Sequence, residues 1–148
     1  MPGAQSRAEA VWRGDLPHGT GEVTSTSGVF GPLPLTWAAR TVRVSGLTSP
    51  EELLAAAQAG CYAMALSNAL AKRGTPPTSL RVTATATFDV GPNGARVSTM
   101  EIEVHGQVPS LDEPAFMDIA AEAEKSCPIA NALRGNVDIH VSAHLEGN

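Results

Sequence analysis

Residues 49–74, SPEELLAAAQAGCYAMALSNALAKRG, carry every signal of one long helix. Ser49 can cap its first turn, and Pro50 suits the first helical position, where a missing N–H group costs nothing. Gly74 can adopt the left-handed conformation in which many helices end. Polar side chains between these ends are so few that we expect the helix to be buried on most sides. Its own chain, a partner subunit or both would have to cover it.

The segments around this helix show the alternation of β-strands. Residues 79–90 and 97–108 place apolar side chains on one face and polar side chains on the other, and GPNG at 91–94 forms the turn between them. We predict further strands at 8–13, 20–25, 35–44 and 136–145, a helix at 112–125, and a short helix after Cys127 that ends near Leu133. The order β-β-β-α-β-β-α-β is typical of an α+β fold. We expect residues 1–148 to form a single domain.

Composition and charge argue against several classes of function. The net charge is −5 and no cluster of Lys and Arg exceeds two adjacent residues, so a nucleic-acid partner is not expected. Polar Gln58, Ser67 and Asn68 interrupt the apolar helix, which favours a core helix over a membrane-spanning one. No basic segment followed by an apolar run is visible, so we expect no secretory signal and a cytoplasmic location.

Two cysteines are the main candidates for chemistry. Cys61 lies in the middle of the long helix among small residues that leave space near its sulfur. A free thiol is only a few per cent ionised at neutral pH, so a nucleophilic role requires a cation nearby, which an arginine from elsewhere must supply. Cys127 precedes Pro128 at the start of the short helix, where free N–H groups favour a thiolate. For both residues an inert, packed thiol is the alternative.

Glu51 is a carboxylate whose contact with Cys61 has to be considered. It lies ten residues earlier on nearly the same helix face, about 15 Å away along the axis of a straight helix. Direct contact is therefore not expected. From spacing alone, a solvated carboxylate in the first turn is the better interpretation.

The histidines do not indicate a metal site. His140 and His144 share one face of a strand, but four residues of strand separate them by about 13 Å, too far to share one ion. No H-E-x-x-H, C-x-x-C, G-x-G-x-x-G or P-loop pattern occurs. We therefore expect neither a metal nor a nucleotide cofactor.

Two separated motifs resemble the osmotically inducible protein C / organic hydroperoxide resistance (OsmC/Ohr) family. The first is PEELLAAAQAGC at 50–61, followed by MALS at 64–67. The second is AEAEKSCPI at 121–129. VWRG at 11–14 and the last strand also fit, so the resemblance covers nearly the whole chain. An arginine in the predicted third strand favours the osmotically inducible branch.

The resemblance implies an enzyme, a thiol peroxidase that reduces organic hydroperoxides. Cys61 would be the peroxidatic cysteine that is oxidised to a sulfenic acid. Cys127 would resolve it as a Cys61–Cys127 disulfide, which an external dithiol reduces. Arg40 would stabilise the thiolate and polarise the peroxide, and Glu51 would orient its guanidinium through a fork-like pair. Arg43 is the rival for the arginine role, because the segment after Arg40 is one residue longer than expected.

The resemblance also implies an intertwined homodimer with its sites at the subunit interface and without metal, haem or flavin. Such a dimer would cover the long apolar helix and would let Arg40 and Glu51 meet across chains. Gln58 stands where many relatives carry a histidine, and we assign it no catalytic part. The alternatives are a non-enzymatic module that binds a lipid-like ligand near Cys61, and a structural stress-induced dimer with idle thiols.

Overall fold

The computed structural model describes residues 3–147, which fall into two compact units. The first unit extends to Leu53, and the second begins at Leu54. The boundary lies about one turn inside the long helix. The single domain expected from the sequence stays a prediction, and each unit is described by itself.

The first unit contains a three-stranded antiparallel sheet and a short helix. Its strands, in sheet order, are Ala8–Arg13 (β1), Thr20–Ser25 (β2) and Leu33–Leu35 (β3). The helix Trp37–Thr41 (α1) follows, capped by Thr36, whose side chain accepts a hydrogen bond from the Ala39 N–H at 3.0 Å. The predicted third strand over 35–44 is therefore wrong beyond Leu35, and Arg40 lies in α1. The alternation there was loose, and a capping threonine before two alanines favours a helix.

The second unit contains most of the long helix, a second sheet and two further helices. The elements are Pro50–Lys72 (α2), Ser79–Gly91 (β4), Gly94–Gln107 (β5), Glu113–Ser126 (α3), Pro128–Leu133 (α4) and Asp138–Leu145 (β6). β4 and β5 pair in antiparallel fashion, while β5 and β6 pair in parallel, so α3 and α4 form the crossover. These elements were predicted. The largest shift is at the start of β5, which begins at Gly94 instead of Val97.

The α2 helix begins as predicted but is covered on one side only. The Ser49 hydroxyl accepts a hydrogen bond from the Glu52 N–H at 3.0 Å, which caps the first turn. The stripe with no exposed surface consists of Gln58, Tyr62, Leu66 and Leu70. Met64 is 76% exposed. Burial on most sides is therefore wrong for the single chain, because the second sheet, α3 and α4 cover only one face of α2. Cover from a partner subunit stays a prediction.

The core of the second unit forms where this stripe meets β5 and α3. The buried side chains around it are Met100, Ile102, Val104, Phe116, Ile119 and Ala120. The Tyr62 hydroxyl donates a hydrogen bond to the Ala120 carbonyl oxygen at 2.7 Å. Burial raises the pKa of Tyr62 above its ordinary value, so the hydroxyl stays a neutral donor at physiological pH. Because Cys61 is adjacent to Tyr62, the same core positions its sulfur.

Among residues 3–147, α2 is the one helix long and apolar enough to cross a membrane. This property alone is weak evidence, since a helix in a globular core often has it too. The buried stripe of α2 packs against side chains of its own chain. A core helix, as predicted from the sequence, accounts for both observations.

Candidate active site

The structure brings the two cysteines together in the second unit. The Sγ atoms of Cys61 on α2 and Cys127 lie 3.1 Å apart, although 66 residues separate them in the sequence. Both are free thiols, Cys127 fully buried and Cys61 partly exposed. A disulfide bond is about 2.05 Å long. A side-chain movement of roughly 1 Å would therefore join them.

Cys127 owes its position to the junction of two helices. It ends α3 and precedes α4, with an extended backbone at φ −82° and ψ 114°. Pro128 disfavours helical dihedrals in the residue before it, which explains the break. The Cys127 N–H donates to the Glu124 carbonyl, and its own carbonyl accepts from the Asn131 N–H. Both backbone groups are thus engaged by the flanking helices, and the side chain is directed at Cys61.

The surroundings of Cys61 do not by themselves favour a thiolate. Burial raises the pKa of the Cys61 thiol, the backbone N–H of Ile129 lowers it, and the Cys127 thiol raises it, so the net direction is upward. Ile129 lies in the first turn of α4. A free N–H of this helix therefore acts on Cys61 and not, as predicted from the sequence, on Cys127. A nucleophilic role still requires a cation.

Gln58 contacts the second sulfur. It is fully buried three residues before Cys61, and its Nε2 donates a hydrogen bond to Cys127 Sγ at 3.2 Å. Its Oε1 is buried without a hydrogen-bond partner within the described part of the chain. Leaving such an oxygen unpaired costs about 1–3 kcal/mol. No catalytic part was predicted for Gln58 from the sequence. The feature of the sequence that could have indicated a role for Gln58 is its polar side chain on the apolar stripe of the helix.

Arg40 and Glu51 form a fork-like pair within the first unit. Arg40 Nη2 lies 2.7 Å from Glu51 Oε1, and Nε lies 3.0 and 3.2 Å from the two carboxylate oxygens. Glu51 is only 6% exposed, so the solvated carboxylate expected from spacing is wrong. The pair that the resemblance implied is present inside one chain, since the short helix α1 brings Arg40 to the first turn of α2.

Arg43, the rival arginine, is engaged by the loop between α1 and α2. Its Nη1 donates to the Ala39 carbonyl oxygen at 2.6 Å and its Nη2 to the Leu47 carbonyl oxygen at 3.0 Å. Its Nη2 also lies 3.7 Å from a carboxylate oxygen of Glu52. These contacts hold the loop. The geometry therefore favours Arg40 as the arginine that Glu51 orients.

The four predicted site residues thus form two pairs, one in each unit. Arg40 and Glu51 lie in the first unit, and Cys61 and Cys127 lie in the second. Each pair is joined at hydrogen-bond distance. The catalytic roles of the four residues stay predictions.

Comparison with known sequences finds relatives over most of the chain. The family model described as OsmC-like protein matches residues 45–142. The peroxiredoxin OsmC of Escherichia coli (strain K12) is 33% identical over 133 residues, which cover 90% of this chain and 92% of that protein. The organic hydroperoxide resistance protein of Xanthomonas axonopodis pv. citri (strain 306) is 30% identical over 94 residues, 62% of this chain and 63% of that protein.

Solved structures share the same fold. The organic hydroperoxide resistance protein OsmC of Legionella pneumophila matches with a TM-score of 0.72 and 25% identity, covering 96% of this chain and 99% of that one. The organic hydroperoxide resistance protein OhrB of Bacillus subtilis matches with a TM-score of 0.71 and 23% identity, covering 95% and 98%. At that identity the second match supports the fold alone.

Replacement of Gln58 by leucine tests its contact with Cys127. We expect disulfide formation between Cys61 and Cys127 after one equivalent of a thiol oxidant to slow about fivefold, the factor for a hydrogen bond worth about 1 kcal/mol. Gln58→His keeps an N–H donor and should recover most of the rate. Quenched-flow mass spectrometry measures the disulfide directly. Equal rates in Gln58→Leu and the unmodified chain would show that the amide does not position the sulfur.

Proposed function

The chain belongs to the OsmC-like protein family, and from this premise we propose that it is a thiol peroxidase that reduces organic hydroperoxides. The observation that carries the proposal is the pair of free thiols with Sγ atoms 3.1 Å apart. Two of its relatives, a peroxiredoxin and an organic hydroperoxide resistance protein, support the reaction and the substrate class.

The first step is the oxidation of Cys61. Its thiolate attacks the outer oxygen of the hydroperoxide, and the O–O bond breaks. The sulfur gains that oxygen and loses two electrons, which gives a sulfenic acid. The alkoxide leaves and takes up a proton to become the alcohol. Cys61 is suited to this step because it is the more exposed of the two thiols.

The second step forms and then removes a disulfide. The Cys127 sulfur attacks the sulfenic sulfur of Cys61, the S–O bond breaks, and hydroxide leaves as water with the Cys127 proton. An external dithiol then exchanges with the Cys61–Cys127 disulfide, is itself oxidised, and returns both thiols. A cytoplasmic location belongs to this proposal, because a reducing compartment maintains free thiols.

Arg40 supplies the cation that Cys61 requires. Burial and the Cys127 thiol raise the pKa of Cys61, so an opposing charge is needed for a thiolate at neutral pH. A bidentate pair with Glu51 fixes the plane of the guanidinium, which suits it to orient a peroxide as well as a thiolate. Glu51 acts through Arg40 and is a positioning residue.

The active form is a homodimer in which a partner subunit covers the outer face of α2. Large apolar side chains on a solvent-facing surface indicate an interface. On α2 this face carries Met64, which is 76% exposed, beside Ala56, Ala57 and Gly60. Small residues there allow the partner's backbone to approach closely.

Single serine substitutions separate the roles of the two cysteines. Cys61→Ser should abolish the reduction of an organic hydroperoxide, because the remaining thiol, Cys127, is fully buried and not accessible to the peroxide. Cys127→Ser should be oxidised once at Cys61 and then fail to be recycled by dithiol. Peroxide consumption and intact-protein mass report both outcomes. Full turnover by Cys61→Ser would refute the mechanism, and slow alkylation of Cys61 at pH 6 would favour a packed thiol.

Replacement of Arg40 by methionine tests the cation. A nearby positive charge favours the charged form of a thiol and lowers its pKa, so its removal should raise the pKa of Cys61. We expect the midpoint of Cys61 alkylation against pH to be higher in Arg40→Met than in the unmodified chain. Arg43→Met is the matched control and should leave the midpoint in place. An unchanged midpoint in Arg40→Met would remove Arg40 from the mechanism.

A charge on the outer face of α2 tests the dimer. Met64→Glu should raise the dissociation constant about a hundredfold or more, because an unpaired carboxylate buried in an interface costs several kcal/mol. Light scattering after size exclusion measures the mass. Met117→Glu, the same change at a 51% exposed position on α3, is the control. A dimer that survives Met64→Glu would exclude this face as the interface.

A further inference from the structure

The outer face of the second sheet carries a cluster that the proposed peroxidase reaction does not use. Glu103 and His105 are alternate residues of β5 and share one face of the sheet. His144 is the direct neighbour of His105 on the parallel strand β6. One ligand atom from each of the three side chains lies within 4.8 Å of the others. His105 is partly buried, while Glu103 and His144 are exposed.

These three side chains are a donor set for a transition-metal ion. Imidazole nitrogen and carboxylate oxygen are ligands of Zn²⁺, at about 2.0–2.2 Å from the ion. Two ligands of a tetrahedral site at that bond length are roughly 3.4 Å apart, so the most distant pair has to approach by roughly 1.4 Å or less. The rotation of exposed side chains allows this without a change in the backbone.

A second observation concerns the two ring nitrogens of His105, each of which lies close to a carboxylate. Nε2 of His105 lies 2.9 Å from Glu103 Oε1, and Nδ1 lies 3.1 Å from Glu146 Oε1. A proton on Nδ1 that is donated to Glu146 leaves the Nε2 lone pair on the side of Glu103. A carboxylate on the second nitrogen is the usual support of a metal-binding histidine, because it sets the tautomer and the ring orientation.

The arrangement of the second imidazole completes the site. The rings of His105 and His144 are stacked, with centroids 4.9 Å apart and planes inclined by 25°. Both rings therefore extend from adjacent strands to the same side of the sheet. A small rotation of the two side chains would direct one nitrogen of each ring at a common point.

We propose that Glu103, His105 and His144 form a binding site for a divalent transition-metal ion, with Zn²⁺ as its first ligand to test. Glu146 supports His105, and water fills the remaining coordination. The ion joins β5 to β6 on the face of the sheet opposite the core that holds Cys61. It therefore stabilises this pairing and is not required for peroxide reduction. No metal was expected from the sequence, because His140 and His144 are too far apart and no metal-binding motif occurs, whereas the pairing of β5 with β6 places His144 beside His105.

The first experiment measures zinc affinity on an untagged chain in which Cys61 and Cys127 are both replaced by serine, since two adjacent thiols also bind zinc. Competition with a chromophoric chelator should give one equivalent of bound Zn²⁺. Loss of a ligand in His144→Ala or Glu103→Gln should weaken binding at least tenfold, and Glu146→Gln about tenfold. His140→Ala, on the same strand and face, is the matched control and should bind normally.

The absence of zinc binding by the parent chain, or equal affinities in His144→Ala and His140→Ala, would overturn the proposal. If the double-serine chain fails to fold, a chain with both cysteines replaced by alanine is used instead. If His144→Ala unfolds, His144→Asn is used, and circular dichroism confirms the fold in each case. An excess of Zn²⁺ should also raise the melting temperature of the parent chain and not that of His144→Ala.

Peroxide reduction is measured separately in His144→Ala with both cysteines present. We expect the rate to be unchanged with and without a chelator. The failure of the metal site would thus leave the peroxidase intact, and the failure of the peroxidase would leave zinc binding intact. A loss of peroxide reduction in His144→Ala that zinc restores would contradict a site separate from the reaction.

Discussion

The second unit depends on the packing of one stripe of α2 against β5 and α3. The Tyr62 hydroxyl ties this stripe to the Ala120 carbonyl, and one turn earlier on α2 the Gln58 amide reaches the Cys127 sulfur. These two contacts set the position of α2 relative to α3 and the junction that follows it. Cys61 lies between them on α2, so its sulfur meets Cys127. The juxtaposition of the thiols is a consequence of core packing.

The same packing disfavours the ionised form of the Cys61 thiol. Burial favours the neutral thiol, and the neighbouring thiol of Cys127 adds to that preference. One backbone N–H, from Ile129, acts in the opposite direction. The distance of 3.1 Å between the two sulfurs therefore suits the formation of a disulfide, but it does not favour the thiolate of Cys61. The proposed cation, Arg40, is already held in a fixed plane by the buried carboxylate of Glu51. In the proposed mechanism, disulfide formation and thiol activation thus depend on different pairs of residues.

The two faces of the second sheet carry different chemistry. The inner face of β5 is apolar and packs against α2 and α3 through residues such as Ile102 and Val104. The outer face presents carboxylates and imidazoles, among them Glu103 and His105, whose mutual contact lowers the pKa of Glu103. This separation follows from the alternation of side chains along a strand. A metal ion bound outside would stabilise the sheet without contact with either sulfur.

The sequence by itself determined the local structure and the chemical motifs. Capping residues and periodicity located α2 and the strands β4 and β5, and the two cysteine motifs indicated the family. These signals succeed because they are carried by neighbouring residues. Where the local pattern was weak, as in residues 35–44, the prediction was wrong, and the capped helix α1 formed instead.

Only the tertiary structure decided which distant residues meet. It showed that Glu51 is buried against Arg40, that Gln58 reaches Cys127, and that the parallel pairing of β5 with β6 places His144 beside His105. It also showed that the single chain covers α2 on one face. Periodicity states which side of an element is apolar, but not which element will cover it. Contacts between residues far apart in sequence arise from the packing of whole elements, which no local pattern encodes.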